Sequence, residues 1–180
     1  MKTEQQYFEE SKSMNEYMDA MSQLKEQSFA IYESFELPED TAFIEKLKNA
    51  NVHILAITED WCGDAMINNP IIRKVAEAAD VEIRTALRDA DTDLTNGGRA
   101  IPMYLILNEA GEVITTWGPR APQLQQLVTD LRATLPDKED PTFEDAQKAV
   151  YENMRGQYVN DSKLWSYVYE DFKNKVTAAI

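Results

Sequence analysis

The sequence predicts an α/β fold: a core over residues 51–135 in which strands alternate with helices, with a helical extension on each side, 1–50 and 136–180. Three observations predict it. A short unbroken apolar run, Val52-His53-Ile54-Leu55-Ala56-Ile57, reads as a buried strand. After Cys62 the apolar residues Ile67, Ile71, Ile72, Val75 and Ala79 recur at helical steps. The rest of the stretch to Leu135 completes the order strand, helix, strand, strand, strand, helix.

The individual elements follow from local signals. In the N-terminal extension Thr3 with Gln6 and Ser13 with Glu16 have capping-box spacing, and Tyr17, Met18, Met21 and Leu24 recur at three- and four-residue steps. Two helices are expected before Leu37-Pro38. A further helix is expected over about Glu39–Asn49, where Phe43, Ile44 and Leu47 share a face and Pro38 stands near its start. His53 in the first core strand reads as structural. Pro70 removes a backbone donor from the following helix, so a kink is expected there.

Val81 to Leu87 alternates like a strand, and Asp89, Asp91 and Asp93 lead to the loop signal Asn96-Gly97-Gly98. Those aspartates lack calcium-loop spacing and read as solvated charges. Pro102 to Leu107 forms a strand, and Asn108-Glu109-Ala110-Gly111 turns it into Glu112–Trp117. A helix from about Pro122 to Leu135 carries Leu124, Leu127, Val128 and Leu131 on one face. Past the charged linker Pro136–Pro141, two more helices are expected, lined by Phe143, Val150 and Met154 and by Leu164, Trp165, Val168, Phe172 and Val176. They pack on the core or on a partner chain, and Trp165, Tyr169, Phe172 and Val176 leave a homodimer through the terminal helices open.

Composition narrows the function. At 180 residues the chain suits one domain with a sizeable core, and 43% hydrophobic content is that of a globular protein. No apolar run approaches the ~20 residues of a membrane span. The first ten residues are polar without the apolar stretch of a secretory signal, so a cytoplasmic location is expected. With 32 acidic against 18 basic side chains, the net charge of −14 repels nucleic acid and anionic membranes. One cysteine and one histidine, His53, do not make a zinc site of the usual nitrogen and sulfur type, and no metal or cofactor is expected.

The chemistry centres on Trp61-Cys62-Gly63-Asp64-Ala65, which places the chain's one thiol at the mouth of a helix. A lone cysteine is ordinarily an inert small hydrophobe; its neighbours change that reading. A strand ending in Trp-Cys-Gly, a helix with proline eight positions past the thiol, and Ile101-Pro102 opening a later strand together resemble the thioredoxin superfamily. The stretch Glu59–Asp64 is most similar to a bacterial branch with aspartate in place of the usual proline.

The resemblance covers about residues 52–135. It implies a central mixed sheet flanked by helices, a cis-proline at Pro102 and an active-site surface of Trp61, Gly63, Asp64, Ala65, Ile101 and Pro102 around a catalytic Cys62. Two departures stand out. Ala65 takes the place of the second cysteine, and Ala56 takes the place of the family's buried aspartate; Glu59 and Asp60, beside an exposed loop, are possible substitutes.

A thiol reacts as its thiolate, and the amides of Gly63, Asp64 and Ala65 at a helix start stabilise that anion. Asp64 opposes it, by about 0.8 kcal/mol at roughly 7 Å and an effective dielectric near 60. Trp61 would cover the sulfur, and the backbone of Ile101 would pair with an extended substrate segment. Without a resolving thiol, any mixed disulfide at Cys62 must be released by an external thiol. The expected function is thiol-disulfide exchange of monothiol type, with protein disulfides or low-molecular-weight thiols as partners. The alternative is a redox-inactive module that binds proteins through the Trp61 and Pro102 surface. Arg99 and Arg120 are assigned no role.

Overall fold

The computed structural model describes residues 1–90 and 100–180, so Asp91, Asp93, Asn96-Gly97-Gly98 and Arg99 lie outside the described residues. Before the core come α1 (Glu4–Glu10), the short strand β1 (Lys12–Ser13), α2 (Met14–Asp19), α3 (Lys25–Ser34) and α4 (Thr41–Asn49). The core runs β2 (His53–Thr58), α5 (Gly63–Ala78), β3 (Ile83–Leu87), a 3-10 turn at Arg88–Ala90, β4 (Met103–Leu107), β5 (Val113–Trp117) and α6 (Pro122–Arg132). Two long helices, α7 (Phe143–Asn160) and α8 (Ser162–Thr177), end the chain.

The five strands form one sheet in the order β1-β3-β2-β4-β5. β2 and β3 are parallel, joined by the α5 crossover, while β1/β3, β2/β4 and β4/β5 are antiparallel. This is the mixed sheet, flanked by helices, that the sequence predicts. β2 reads as a continuous apolar run because it is interior and covered on both faces. Ile54 and Ala56 turn to the larger core with Tyr104, Ile106 and α5, while Leu55 and Ile57 join a smaller cluster with Leu105, Leu107 and the α1 residues Tyr7 and Phe8. His53 is structural here, its Nε2 2.5 Å from Gln5 Oε1 and its ring 4.4 Å from Phe8.

The N-terminal extension holds three helices before Leu37, not two. Thr3 forms its full capping box and Ser13 accepts from the Glu16 amide. Between those caps, Lys12 and Ser13 extend and pair with Thr85 and Arg84, which adds an edge strand to the sheet. Helix α4 starts at Thr41, later than expected from Pro38, and its preceding residue Asp40 accepts from the Tyr169 hydroxyl at 2.8 Å and pairs with Lys173 on α8.

Helix α5 continues without a break through Pro70. The carbonyl left without a donor by that proline belongs to Met66, and it accepts instead from the buried Ser28 hydroxyl at 3.0 Å. The proline thus becomes a docking point for α3. At the other end of the chain, α8 closes the larger core: Phe172 meets Trp117 edge to face at 5.7 Å, and the Trp117 indole donates to Asp171 at 2.7 Å. Trp165, Tyr169, Phe172 and Val176 are buried within the chain itself. These four residues therefore do not supply the surface on which the homodimer expectation rested.

Candidate functional site

Cys62 is the N-cap of α5, extended at φ −84° and ψ 122°, so its side chain stands at the first turn where backbone amides lack helical partners. The residue is only 8% exposed. Its thiol donates to the Ile101 carbonyl at 3.8 Å, across the cis Ile101-Pro102 bond that the family resemblance implies. Gly118, at φ +126°, lies so close to this loop that a Cβ would stand 2.4 Å from the Pro102 carbonyl oxygen. Only glycine allows that approach.

The same loop places Arg120. Asn68 on α5 donates to the Pro119 carbonyl at 2.7 Å, which fixes the chain just before the arginine. Arg120 then pairs with Asp64 through Nη2 at 2.7 Å and Nε at 3.0 Å, and the Tyr158 hydroxyl on α7 donates to the same carboxylate at 2.8 Å. Asp64 is 5% exposed, so its charge is a paired, interior one rather than a free charge at the mouth of the site. Arg120, assigned no role from sequence, is the residue that holds it.

A cleft of about 370 Å³ opens beside the sulfur. Trp61, Cys62, Gly63 and Ile101 form one wall; Tyr151, Met154 and Arg155 of α7 and Arg132 of α6 form the other. The walls touch at Gly63, where a Cβ would come within 3.2 Å of the Met154 methyl carbon. At the rim Trp61 is 46% exposed, with the Arg88 guanidinium 5.2 Å above its ring.

The model of the family described as thioredoxin matches residues 11–132. The chain belongs to the thioredoxin family. Two solved structures share the fold: an HIV epitope scaffold, 18% identical with a TM-score of 0.67 over 99% of this chain and 100% of that one, and a Pseudomonas aeruginosa protein of unknown function, 19% identical with a TM-score of 0.61 over 87% and 99%. The first of these likenesses spans the terminal helices as well as the core. Comparison with curated proteins finds no significant relative.

In this thioredoxin-family chain the surroundings of the sulfur favour the neutral thiol. Burial pushes the Cys62 thiol above its ordinary range and the Asp64 charge adds to that, while the amides of Ala65 and Asp64 and the Arg120 guanidinium pull back. Of the three helix-start amides expected to stabilise the anion, those of Ala65 and Asp64 lower the thiol, and they do not prevail over burial. Ala65, 2% exposed, packs with Cys62 in the smaller core cluster.

Ala56, at the position where the resemblance places the family's buried aspartate, is fully buried. The two possible substitutes are engaged elsewhere. Glu59 is itself buried and accepts from the Asp89 amide at 2.9 Å. Asp60 accepts from the Ser22 amide and hydroxyl, both at 2.9 Å, and from the Gln23 amide at 3.3 Å. Behind α5 the buried polar groups are neutral: Tyr104 donates to Asn69 at 2.5 Å and Asn69 to Thr58 at 3.1 Å. Among the described residues no group of three or more His, Cys, Asp or Glu is placed to hold a metal, and no helix is long and apolar enough to cross a membrane.

Proposed function

We propose that Cys62 carries out thiol-disulfide exchange as a monothiol. The observation that supports this is its location: the chain's one thiol lies on the wall of a solvent-open cleft, at the N-cap of α5, rather than within the larger core. As thiolate, Cys62 attacks one sulfur of a disulfide. The Sγ–S bond forms, the S–S bond breaks, and the leaving sulfur departs with the electron pair and takes up the proton that Cys62 lost. Ala65 offers no second thiol, so an external thiolate attacks the partner's sulfur in the mixed disulfide and frees Cys62. Disulfide is exchanged between two partners with no net change in the protein. Trp61, Gly63, Asp64, Ala65, Ile101 and Pro102 frame this reaction, and its substrates are protein disulfides or small thiols.

Incubation with bis(2-hydroxyethyl) disulfide tests the proposal. The expected result is one half of the reagent attached at Cys62, removed by reductant and absent from Cys62→Ser, with turnover above the spontaneous rate when external thiol is supplied. A second reading, a protein-binding module without redox activity, is favoured by the upward displacement of the thiol by burial. A chain that stays unmodified while a free small thiol reacts to completion would leave only that reading.

A further inference from the structure

We propose that the cleft beside Cys62 selects small thiols and disulfides whose remaining part carries two or more negative charges, carboxylate or phosphate. The inference rests on the exchange chemistry proposed above and names its substrate class. The chain as a whole, at −14, repels such molecules. Among the described residues the cleft reverses that sign: four of the chain's seven arginines, Arg88, Arg120, Arg132 and Arg155, line it, against one carboxylate, Asp64.

The four have different work. Arg120 is taken up by Asp64, and Arg88 is bonded to Asp89 at 3.0 Å. Arg132 and Arg155 have no carboxylate partner among the described residues; the only bond made by Arg155 is from Nε to its own helix, to the Tyr151 carbonyl at 3.3 Å. Among the described residues, two guanidinium groups thus stand on the wall opposite Cys62 without a carboxylate partner. Guanidinium groups match carboxylate and phosphate oxygens in a planar, two-pronged geometry that lysine does not offer.

Size argues for a small partner. About 370 Å³ lies near the lower end of small-molecule sites, roughly 300 to 1,000 Å³. With Cys62 only 8% exposed and lining the cleft, its sulfur is reached from within the cleft and not from a flat protein surface. Tyr151 and Met154 supply apolar contact between the charged groups.

The test measures the rate of mixed-disulfide formation at Cys62 by intact mass, with four probes: oxidised glutathione for carboxylates, coenzyme A disulfide for phosphates, bis(2-hydroxyethyl) disulfide as neutral, and cystamine as cationic. Each rate is normalised to the same probe reacting with a free small thiol. At least one anionic probe is expected to react about tenfold faster than the neutral one, with cystamine slowest and the preference shrinking as salt is added. Whichever anion is faster identifies carboxylate or phosphate. Arg132→Gln with Arg155→Gln should lower the anionic rates about tenfold, whereas the corresponding double lysine variant keeps part of the preference. Equal normalised rates for anionic and neutral probes, or fastest reaction with cystamine, would overturn the charge selection while leaving the exchange chemistry standing. No adduct with any probe would overturn both.

Discussion

The two walls of the Cys62 cleft are built by different means. One wall is backbone: the N-cap of α5, the Ile101-Pro102 loop, and Gly118 pressed against it. The other is side chains projecting from α6 and α7, with α8 behind them in the core. A wall made by backbone needs particular residues at particular places, cysteine, glycine and proline, and so leaves a signature. A wall made by side chains needs only a helix of suitable periodicity, and its chemistry depends on what that helix meets. Asp64 joins the two, since it is anchored on α5 and bonded by Tyr158 from α7.

Removing the second wall should have the largest effect. Truncation after Leu135 deletes Tyr158, Val168, Tyr169, Phe172 and Val176, all fully buried, and exposes the larger core around Trp117 and Leu124. Loss of the cooperative thermal transition is expected, and Phe172→Ala in the full chain should cost roughly 3 to 5 kcal/mol in chemical denaturation. A truncated chain that stays monomeric with an unchanged melt would show that α7 and α8 are appendages and that the first wall stands alone.

Breaking the link between the walls should cost less but report on the chemistry. Asp64→Asn leaves Arg120, with its side chain 14% exposed, without its counter-charge, for a loss of about 3 kcal/mol. The sign for the thiol is definite. Asp64 raises the Cys62 thiol and Arg120 lowers it, so removing the carboxylate should move the midpoint of the alkylation rate against pH downward. Tyr158→Phe removes one hydrogen bond to a charged group and should cost about 1 to 2 kcal/mol. An Asp64→Asn midpoint unchanged or moved upward would mean that burial alone governs the sulfur.

What was legible in the sequence divides along the same line. The order of core elements and the apolar faces of α6, α7 and α8 follow from periodicity, because burial acts on every third or fourth residue of a helix alike, while the mixed sheet came from the family resemblance. Arg120, Tyr158, Arg132 and Arg155 were not legible as parts of one site. They lie far apart in the chain, and nothing in the residues around Tyr158 marks Asp64 as its partner. One faint signal existed: Gly63 beside the cysteine leaves room for a neighbour, which proves to be Met154. The β1 strand escaped for another reason, since two extended residues between caps carry no period. The late start of α4 reflects a long-range cause, the engagement of Asp40 by Lys173 and Tyr169.

That engagement supports the smallest prediction, which tests how α8 is held behind the second wall. The hydrogen bond from Lys173, with help from Tyr169, holds the Asp40 carboxyl below its ordinary value of 3.8 despite partial burial. A carboxylate whose folded value is depressed contributes stability that is fully present above the unfolded value and is lost as pH falls through the folded one. The stability gap between the native chain and Asp40→Asn should therefore be constant at neutral pH and close below about pH 4. Both partners are partly exposed, at 28% for Lys173 and 19% for Asp40, so the gap should be at most about 1 kcal/mol. Urea midpoints of the two chains across acid pH measure it. A gap that persists when the carboxylate is protonated would assign the α4–α8 contact to packing of Tyr169 against Phe35 and Phe43, 6.3 and 6.2 Å away, with no share for the charge.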